Sequence, residues 1–110
     1  SFKLLAENGY IQLPTIPSYC IHNAHMFYIK CKNLQDRQSY IKYMKEHDVN
    51  CVFHYVPLHS SPAGKKFGRF NGRDIYTTSE SERLVRLPLY YNINEDDIQF
   101  VVEKTKEYFL

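Results

Sequence analysis

The densest group of side chains able to bind a ligand lies in residues 51–64, which read CVFHYVPLHSSPAG. Residues 51–56 are mostly β-branched or aromatic and predict a strand, which must stop at the following proline because proline cannot donate to a ladder. His54, Tyr55 and His59 therefore lie at or just past a strand end, where a scaffold commonly presents polar side chains to a ligand. The alternative is that they are structural residues, which is the commoner role for such side chains at a strand end.

A basic loop containing glycines follows this strand. Its glycines and basic residues are Gly64, Lys65, Lys66, Gly68, Arg69 and Arg73. Such a loop can contact a diphosphate electrostatically, although the G-K-[ST] signature of a Walker loop is absent. A solvated surface loop is the alternative interpretation. Phe67 and Phe70 would also suit nucleic acid, but the net charge of only +2 argues against that partner.

Cysteines and histidines fall into two groups with the residue types of a zinc site. The first group is Cys20, His22, His25 and Cys31, and the second is Cys51, His54 and His59. The paired spacing of zinc sites is absent. His25 and Cys31 would lie on one strand about 20 Å apart at ~3.3 Å per residue, too far to share an ion. We therefore predict no metal site, and cysteines that act as small apolar residues.

Nucleophilic catalysis has even less support in the residues. No G-x-S-x-G elbow occurs, and strand alternation would place the side chains of Cys51 and His54 on opposite faces. The acidic residues fall mostly at predicted helix starts. The residues therefore give little support to nucleophilic catalysis or to a pair of catalytic carboxylates.

Length and composition limit the protein's class. With 110 residues the chain is long enough for one domain and too short for two. No apolar run is long enough to cross a membrane, and no signal peptide is evident. Three cysteines without regular spacing fit a reduced, cytoplasmic setting. The nearly balanced charge calls for neither a nucleic acid nor a membrane as partner.

Local patterns predict the elements that must position these side chains. They are a helix tail at 1–8 stopped by Gly9, an extended crossing segment at 10–19, a strand at 23–32, a helix at 33–47, a strand at 51–56, a helical turn at 62–67, a helix opening near 77 and ending before Pro88, a strand at 87–90 and a helix at 94–109. Three strands with helices packed on one face make a small open α+β domain. The pattern leaves the β-α-β pairing parallel or antiparallel.

Caps and apolar stripes support the helices. Asn33 and Asn94 are the predicted N-caps of two helices, and Thr77 or Ser79 opens a third by a capping box. Asp48 or Asn50 can supply the left-handed turn after the first of them. The predicted inward residues are Leu34, Tyr40, Ile41, Tyr43 and Met44 on one helix, Leu84 and Val85 on the next, and Ile98, Val101, Val102, Thr105 and Phe109 on the last.

Several phrases occur together in a specific order. They are HNAHMFYIK at 22–30, VFHYVPLHSSPAG at 52–64 and TTSESERLVRLPLYYN at 77–92, followed by a helix with an acidic first turn. From about Gly9 to Leu110 the chain resembles the C-terminal small domain of the DegT/StrS family of pyridoxal-phosphate-dependent sugar aminotransferases. The likeness is greatest to the branch that aminates TDP-4-oxo-6-deoxy-D-glucose for enterobacterial common antigen.

The resemblance implies a fold type I homodimer with active sites at the subunit interface. Residues 1–22 would be the end of an interdomain helix and a crossing segment, and residues 23–110 the small domain. The family's large domain supplies the lysine that binds pyridoxal phosphate, the acid on its pyridinium nitrogen and the phosphate cup. No position here matches them, so the resemblance implies no catalytic and no cofactor-binding residue in this chain.

The resemblance also assigns roles to residues of the small domain, which closes over cofactor and substrate. The HYVPLH motif places His54, Tyr55 and His59 at the cleft, against the sugar or its diphosphate. His25 matches a position near the domain hinge. Lys65 and Lys66 are further candidates for the diphosphate.

For the parent enzyme the implied reaction transfers an amino group from L-glutamate to a nucleotide-linked 4-keto (or 3-keto) sugar. We expect the chain by itself to be inactive. The alternative hypothesis is a stand-alone module of the same fold that binds a nucleotide-sugar or a protein. An exposed apolar surface would indicate the fragment, and a polar surface would indicate the module.

Overall fold

A three-stranded sheet organises the fold in the computed structural model, which describes residues 1–110. The elements are α1 (Lys3–Glu7), β1 (Phe27–Lys30), α2 (Leu34–Glu46), β2 (Val52–Phe53), α3 (Pro62–Phe67), α4 (Thr77–Arg83), β3 (Leu84–Leu87) and α5 (Glu95–Phe109). A single 3-10 turn, Leu58–Ser60, lies between β2 and α3. The predicted α+β class with three strands is confirmed.

The last strand in sequence is the central strand of the sheet. β3 lies between β1 and β2 and is antiparallel to both. Val85 is paired with Ile29 on one side and with Phe53 on the other. β1 and β2 are therefore parallel to each other but not in contact, which settles the pairing that the sequence left open.

The core lies between one sheet face and the two long helices. The sheet contributes Ile29, Val85 and Leu87, because alternation turns these residues to the same face. Tyr40 and Met44 of α2 and Val102 of α5 pack against them. The other buried apolar residues are Phe2, Leu5, Ile11, Cys31, Val49 and Cys51. Residues before position 22 thus share one core with the rest of the chain.

A buried polar contact joins the two long helices. The Tyr40 hydroxyl lies 2.8 Å from Thr105 Oγ1, and both side chains are fully buried. The Thr105 hydroxyl donates to the Val101 carbonyl at 2.7 Å, so the Tyr40 hydroxyl is the donor to Thr105. Each buried hydroxyl is thereby satisfied, as burial requires.

Most of the locally encoded features form as predicted. Asn33 and Asn94 cap α2 and α5, each accepting the amide three residues on, at 2.9 and 2.7 Å. Gly9 has φ +72° after α1, and Asp48 supplies the left-handed turn after α2 with φ +60°. Side-chain geometry within a few residues decides these features, so the sequence reveals them.

Three strand and helix boundaries differ from the prediction. β1 covers only Phe27–Lys30 of the predicted 23–32, and β2 covers only Val52–Phe53 of the predicted 51–56. The segment 84–87 is a strand, whereas we predicted Leu84 and Val85 in a helix and the strand at 87–90. This last difference arises from strand pairing. β3 lies between β1 and β2, and its four residues pair with all four residues of β1.

The start of α4 and part of one apolar stripe also correct the prediction. Thr77 is already helical, and the residue before it makes no side-chain cap, so the capping box does not form. Asp74 Oδ1 instead accepts the Thr78 amide at 3.3 Å. Ile98 is 44% exposed and lies outside the buried stripe of α5. Leu34 and Ile41 are half-buried, and of the two only Ile41 packs against the core.

Candidate functional site

Residues 54–76, here called the site loop, join β2 to α4. One hydrogen bond ties the beginning of this loop to α4, and a second ties α4 to α2. The Ser81 hydroxyl donates to the Tyr55 carbonyl at 2.6 Å, and Arg37 Nη1 donates to the Ser81 carbonyl at 3.1 Å. The loop therefore leaves the sheet from a fixed point, as a site on a scaffold requires.

The short α3 helix inside the site loop has a sequence-encoded start. Ser61 is its N-cap and accepts the Gly64 amide at 3.0 Å, with Pro62 at the first helical position. The Ser61 hydroxyl also donates to the Leu58 carbonyl at 2.8 Å. A Cβ at Gly64 would lie 1.7 Å from that carbonyl oxygen, so only glycine fits there. This confirms the predicted helical turn at 62–67.

A pocket of about 550 Å³ opens between the 3-10 turn, α3 and the chain that follows α3. Its lining combines the rings of two phenylalanines, the backbone of two glycines, the polar side chains of His59 and Thr77, and the guanidinium of Arg69. The lining residues are Leu58, His59, Ala63, Gly64, Phe67, Gly68, Arg69, Phe70 and Thr77. A concave, largely apolar site with a few polar groups is typical of small-molecule binding.

His59 belongs to a polar cluster at this pocket. Its Nε2 lies 3.0 Å from Asp74 Oδ2 and 3.3 Å from Thr78 Oγ1, and its ring centroid lies 4.6 Å from that of Phe70. The Thr78 hydroxyl donates to the same Asp74 oxygen. The imidazole is thus held by its Nε2 edge and by contact with the Phe70 ring.

The Asp74 carboxylate is kept ionised by this cluster. The hydrogen bond from the Thr78 hydroxyl has the largest effect and lowers the Asp74 pKa below its ordinary 3.8. Desolvation is second and raises the pKa, and the Thr78 amide and the nearby His59 imidazole each lower it further. An ionised carboxylate offers only acceptor atoms. Asp74 therefore accepts hydrogen bonds from every polar partner in the cluster.

The remaining predicted site residues lie outside the pocket lining. His54 packs edge-to-face on Tyr55 with ring centroids 4.5 Å apart, and its Nδ1 is buried without a partner. Tyr55 is 69% exposed. Lys65 and Lys66 are exposed on α3, with the Lys66 ammonium 5.0 Å from the centroid of Phe67. The structure thus places only His59 in the pocket, with both lysines on the adjoining helix.

His25 and the cysteines do not join the cluster. The exposed His25 Nδ1 bonds to Asn23 Oδ1 at 2.6 Å. Cys31 and Cys51 are buried, and desolvation raises the pKa of each thiol to about 12, so neither supplies a thiolate near neutral pH. No three His, Cys, Asp or Glu side chains come together as a metal-binding group.

The chain's own residues do not fit pyridoxal phosphate. That cofactor requires a lysine, an acid for the pyridinium nitrogen and a phosphate cup. The pocket lining contains neither lysine nor carboxylate. Lys30 and Lys104 are occupied by Glu80 and Glu107, at 2.5 and 2.7 Å.

Sequence reasoning missed Asp74, Thr78 and Phe70 as partners of His59. An aspartate shortly before a threonine-rich helix start is a helix-opening signal, and it could have identified the contact between Asp74 and Thr78. No local signal links either residue to His59, which lies 19 positions before Thr78. Asp74 and Thr78 meet His59 only because the site loop folds back on itself before α4 begins.

The profile of the DegT/DnrJ/EryC1/StrS aminotransferase family matches residues 2–106. The chain belongs to this family. An uncharacterised protein of Methanocaldococcus jannaschii is 30% identical over 98 residues, which cover 86% of this chain and 25% of that protein. The dTDP-3-amino-3,6-dideoxy-α-D-galactopyranose transaminase of Aneurinibacillus thermoaerophilus is 25% identical over 105 residues, which cover 93% of this chain and 27% of the relative.

Solved aminotransferases share the fold. S. venezuelae DesV, in complex with a ketimine intermediate, superposes with a TM-score of 0.78 at 20% identity, over 97% of this chain and 28% of its own. Helicobacter pylori PseC, an aminotransferase of pseudoaminic acid biosynthesis, also gives 0.78, at 14% identity over 98% and 29%. The 110-residue chain spans about a quarter of the length of the curated relatives that it matches. None of its helices is long and apolar enough to cross a membrane.

Proposed function

We propose that this chain is the C-terminal small domain of a pyridoxal-phosphate-dependent nucleotide-sugar aminotransferase, with the site loop facing the substrate. The observation that carries the proposal is the pocket, which puts the predicted His59 beside Arg69 and two phenylalanines. A cation, an imidazole and aromatic faces suit a ligand that combines phosphate, sugar and base. The family membership of the chain supplies the reaction class.

The exposed apolar surface favours a domain over a stand-alone module. Ile21 is 100% exposed, Tyr91 94% and Tyr19 87%, and Leu58 and Phe67 are also mostly exposed. We propose that a second domain covers these side chains in the full-length protein, which a stand-alone module would lack. We propose that residues 1–22 lead from a large domain and that residues 23–110 form the small domain which closes on it.

Catalysis in this proposal depends on residues outside the chain. The cofactor would be held by the large domain of a cytoplasmic homodimer, and the chain alone would be inactive. His54, Tyr55 and His59 are proposed to face the nucleotide-sugar, with Lys65 and Lys66 near its diphosphate. The amino donor is proposed to be L-glutamate.

The proposed acceptor is a TDP-4-keto-6-deoxyhexose used for surface polysaccharide, as in enterobacterial common antigen. The name of the Aneurinibacillus relative supports a dTDP-linked deoxysugar as the substrate class, although that name places the amine on carbon 3. The 4-keto and 3-keto sugars are therefore both to be tested.

The decisive experiment assays the full-length protein that contains this chain. With pyridoxal phosphate, L-glutamate and each dTDP-keto-sugar, we expect 2-oxoglutarate and an aminated sugar nucleotide by mass spectrometry. Lys65→Ala with Lys66→Ala should raise KM for the sugar nucleotide and leave KM for glutamate unchanged. Lys45→Ala, an exposed lysine on α2, is the matched control.

Two results would contradict the proposal. One is a stoichiometric cofactor absorbance band from the 110-residue chain alone. The other is full-length protein that binds sugar nucleotides but transfers no amino group to any of them, which would favour the stand-alone binding module.

A further inference from the structure

The two ring nitrogens of His59 have different surroundings. Nε2 lies 3.0 Å from Asp74 Oδ2 and 3.3 Å from Thr78 Oγ1. Nδ1 makes no hydrogen bond within the chain and is not among the buried unpartnered atoms, so it retains access to solvent. His59 also lines the pocket, and Nδ1 is its ring nitrogen without a partner in the chain, so Nδ1 is the nitrogen that a ligand could bind.

The hydrogen-bond directions fix which nitrogen carries the proton. Thr78 donates its hydroxyl hydrogen to Asp74 Oδ2 and its amide hydrogen to Asp74 Oδ1. The Thr78 oxygen and the Asp74 carboxylate can therefore only accept from Nε2. An imidazole whose Nε2 has two acceptors and no donor must carry its hydrogen there.

We propose that Asp74 and Thr78 are positioning residues that hold His59 as the Nε2–H tautomer, so that Nδ1 accepts a hydrogen bond from a sugar hydroxyl of the substrate. This inference rests on the proposed function for the identity of the ligand, but not for the tautomer. In this proposal the site loop has two parts. His59 accepts a hydrogen bond from a sugar hydroxyl, and Arg69 with Lys65 and Lys66 of α3 binds the diphosphate.

Phe70 completes the arrangement. Its ring stands 4.6 Å from the imidazole at an interplanar angle of 46° and packs against the imidazole. With its Nε2 edge bonded and its ring in contact with Phe70, the imidazole has little freedom to rotate. An imidazole so fixed can discriminate hydroxyl positions, because an unpaired or misplaced partner is costly in a partly buried site.

The tautomer can be measured without any ligand. Long-range ¹H–¹⁵N spectra of the histidine-labelled 110-residue chain, at about pH 8.5 where an ordinary imidazole is neutral, distinguish the two tautomers. We expect Nε2–H for His59. His47 is an internal reference with the opposite expectation, since its Nδ1 lies 2.8 Å from the Tyr43 carbonyl and must donate. A His59 that is Nδ1–H, or a mixture of tautomers, would overturn the proposal.

Variants of Asp74 and Thr78 test the positioning residues. Asp74→Ala should convert His59 to a mixture of tautomers, because the Thr78 hydroxyl is then free to donate to Nε2. Asp74→Asn keeps the side-chain shape, its amide can also donate to Nε2, and it decides the matter if Asp74→Ala does not fold. Thr78→Val leaves the Asp74 carboxylate beside Nε2 and should keep the Nε2–H form, as should Asp96→Ala, which removes an exposed carboxylate at the start of α5. A pure Nε2–H form in a folded Asp74 variant, or its loss in Thr78→Val, would overturn the assigned roles.

Binding to the full-length protein tests the ligand assignment. By calorimetry, Asp74→Ala should weaken dTDP-glucose roughly 5- to 10-fold, the effect of one lost neutral hydrogen bond, and leave dTDP unchanged. Equal weakening of both would overturn the assignment to a sugar hydroxyl. Failure of the wild-type protein to bind either compound would contradict the proposed function alone, because the spectra of the free chain still decide the tautomer.

Discussion

Tyr40 lies in the core and Tyr55 in the site loop, and the two regions are stabilised by different interactions. Tyr40 in α2 is fully buried, with its ring 5.3 Å from Phe109 and its hydroxyl bonded to Thr105. Tyr55 in the site loop is 69% exposed, and its backbone carbonyl, not its side chain, anchors the loop. The core is stabilised by apolar burial, and the site loop by a few polar contacts between distant segments.

This difference separates stability from binding. Side chains in the core determine whether the chain folds, because their removal leaves cavities. Side chains of the site loop such as Phe67 are largely exposed and contribute little to folding, so they are free to serve a ligand. The comparison predicts large stability effects in one region and small ones in the other.

Truncation of Tyr40 is expected to have the largest effect. Tyr40→Ala should lower the free energy of unfolding by about 3–5 kcal/mol, because it removes a fully buried ring. Tyr55→Ala is the matched control and should change it by less than about 0.5 kcal/mol. Urea unfolding followed by circular dichroism measures both. Similar losses for the two variants would contradict the distinction between core and site loop.

The polar contact inside the core should have an intermediate effect. Thr105→Val keeps the shape but leaves the Tyr40 hydroxyl buried without a partner, which should lower the free energy of unfolding by about 1–3 kcal/mol. Tyr40→Phe combined with Thr105→Val removes both hydroxyls and should recover most of that loss in the same urea experiment. A double variant no more stable than Thr105→Val would mean that this hydrogen bond is not the cause.

Loss of the polar contacts of the site loop should have the smallest effect on stability, and this effect should depend on pH. The folded-state pKa of Asp74 lies below its ordinary 3.8, so its stabilisation is present above that value and is lost as pH falls through the folded pKa. Asp74→Asn should therefore lower Tm slightly at pH 7, and the difference from wild type should vanish at acid pH. A difference that persists below the folded pKa would be inconsistent with ionisation of Asp74 as its source.

Much of the fold could be predicted because its signals are local. The amide-accepting side chains of Asn33 and Asn94 and the left-handed Gly9 act within three residues of their positions. The strand Leu84–Leu87 could not be placed, since its leucines and valine suit a helix equally well and only pairing with β1 and β2 decides. β2 is short because only two of its residues pair with β3.

Only part of the candidate site could be predicted, for the same reason. The motif makes His59 a candidate and the structure places it in the pocket lining, whereas its contacts with Asp74 and Thr78 span 15 and 19 positions and arise only on folding. The division between pocket-lining His59 and the outlying Tyr55 also depends on where the chain leaves β2. Residue types suggested the chemistry, and tertiary structure selected which residues meet.

The central position of β3 has a consequence for biosynthesis. Apart from a single bridge between Gln12 and Lys30, neither β1 nor β2 has a strand partner until residues 84–87 have been made. A nascent chain that ends earlier therefore carries two unsatisfied strand edges, which are templates for pairing with other chains. The three-stranded sheet can form only after residues 84–87 have left the ribosome. We therefore expect a chain that terminates before Leu84 to aggregate rather than to fold as a smaller domain.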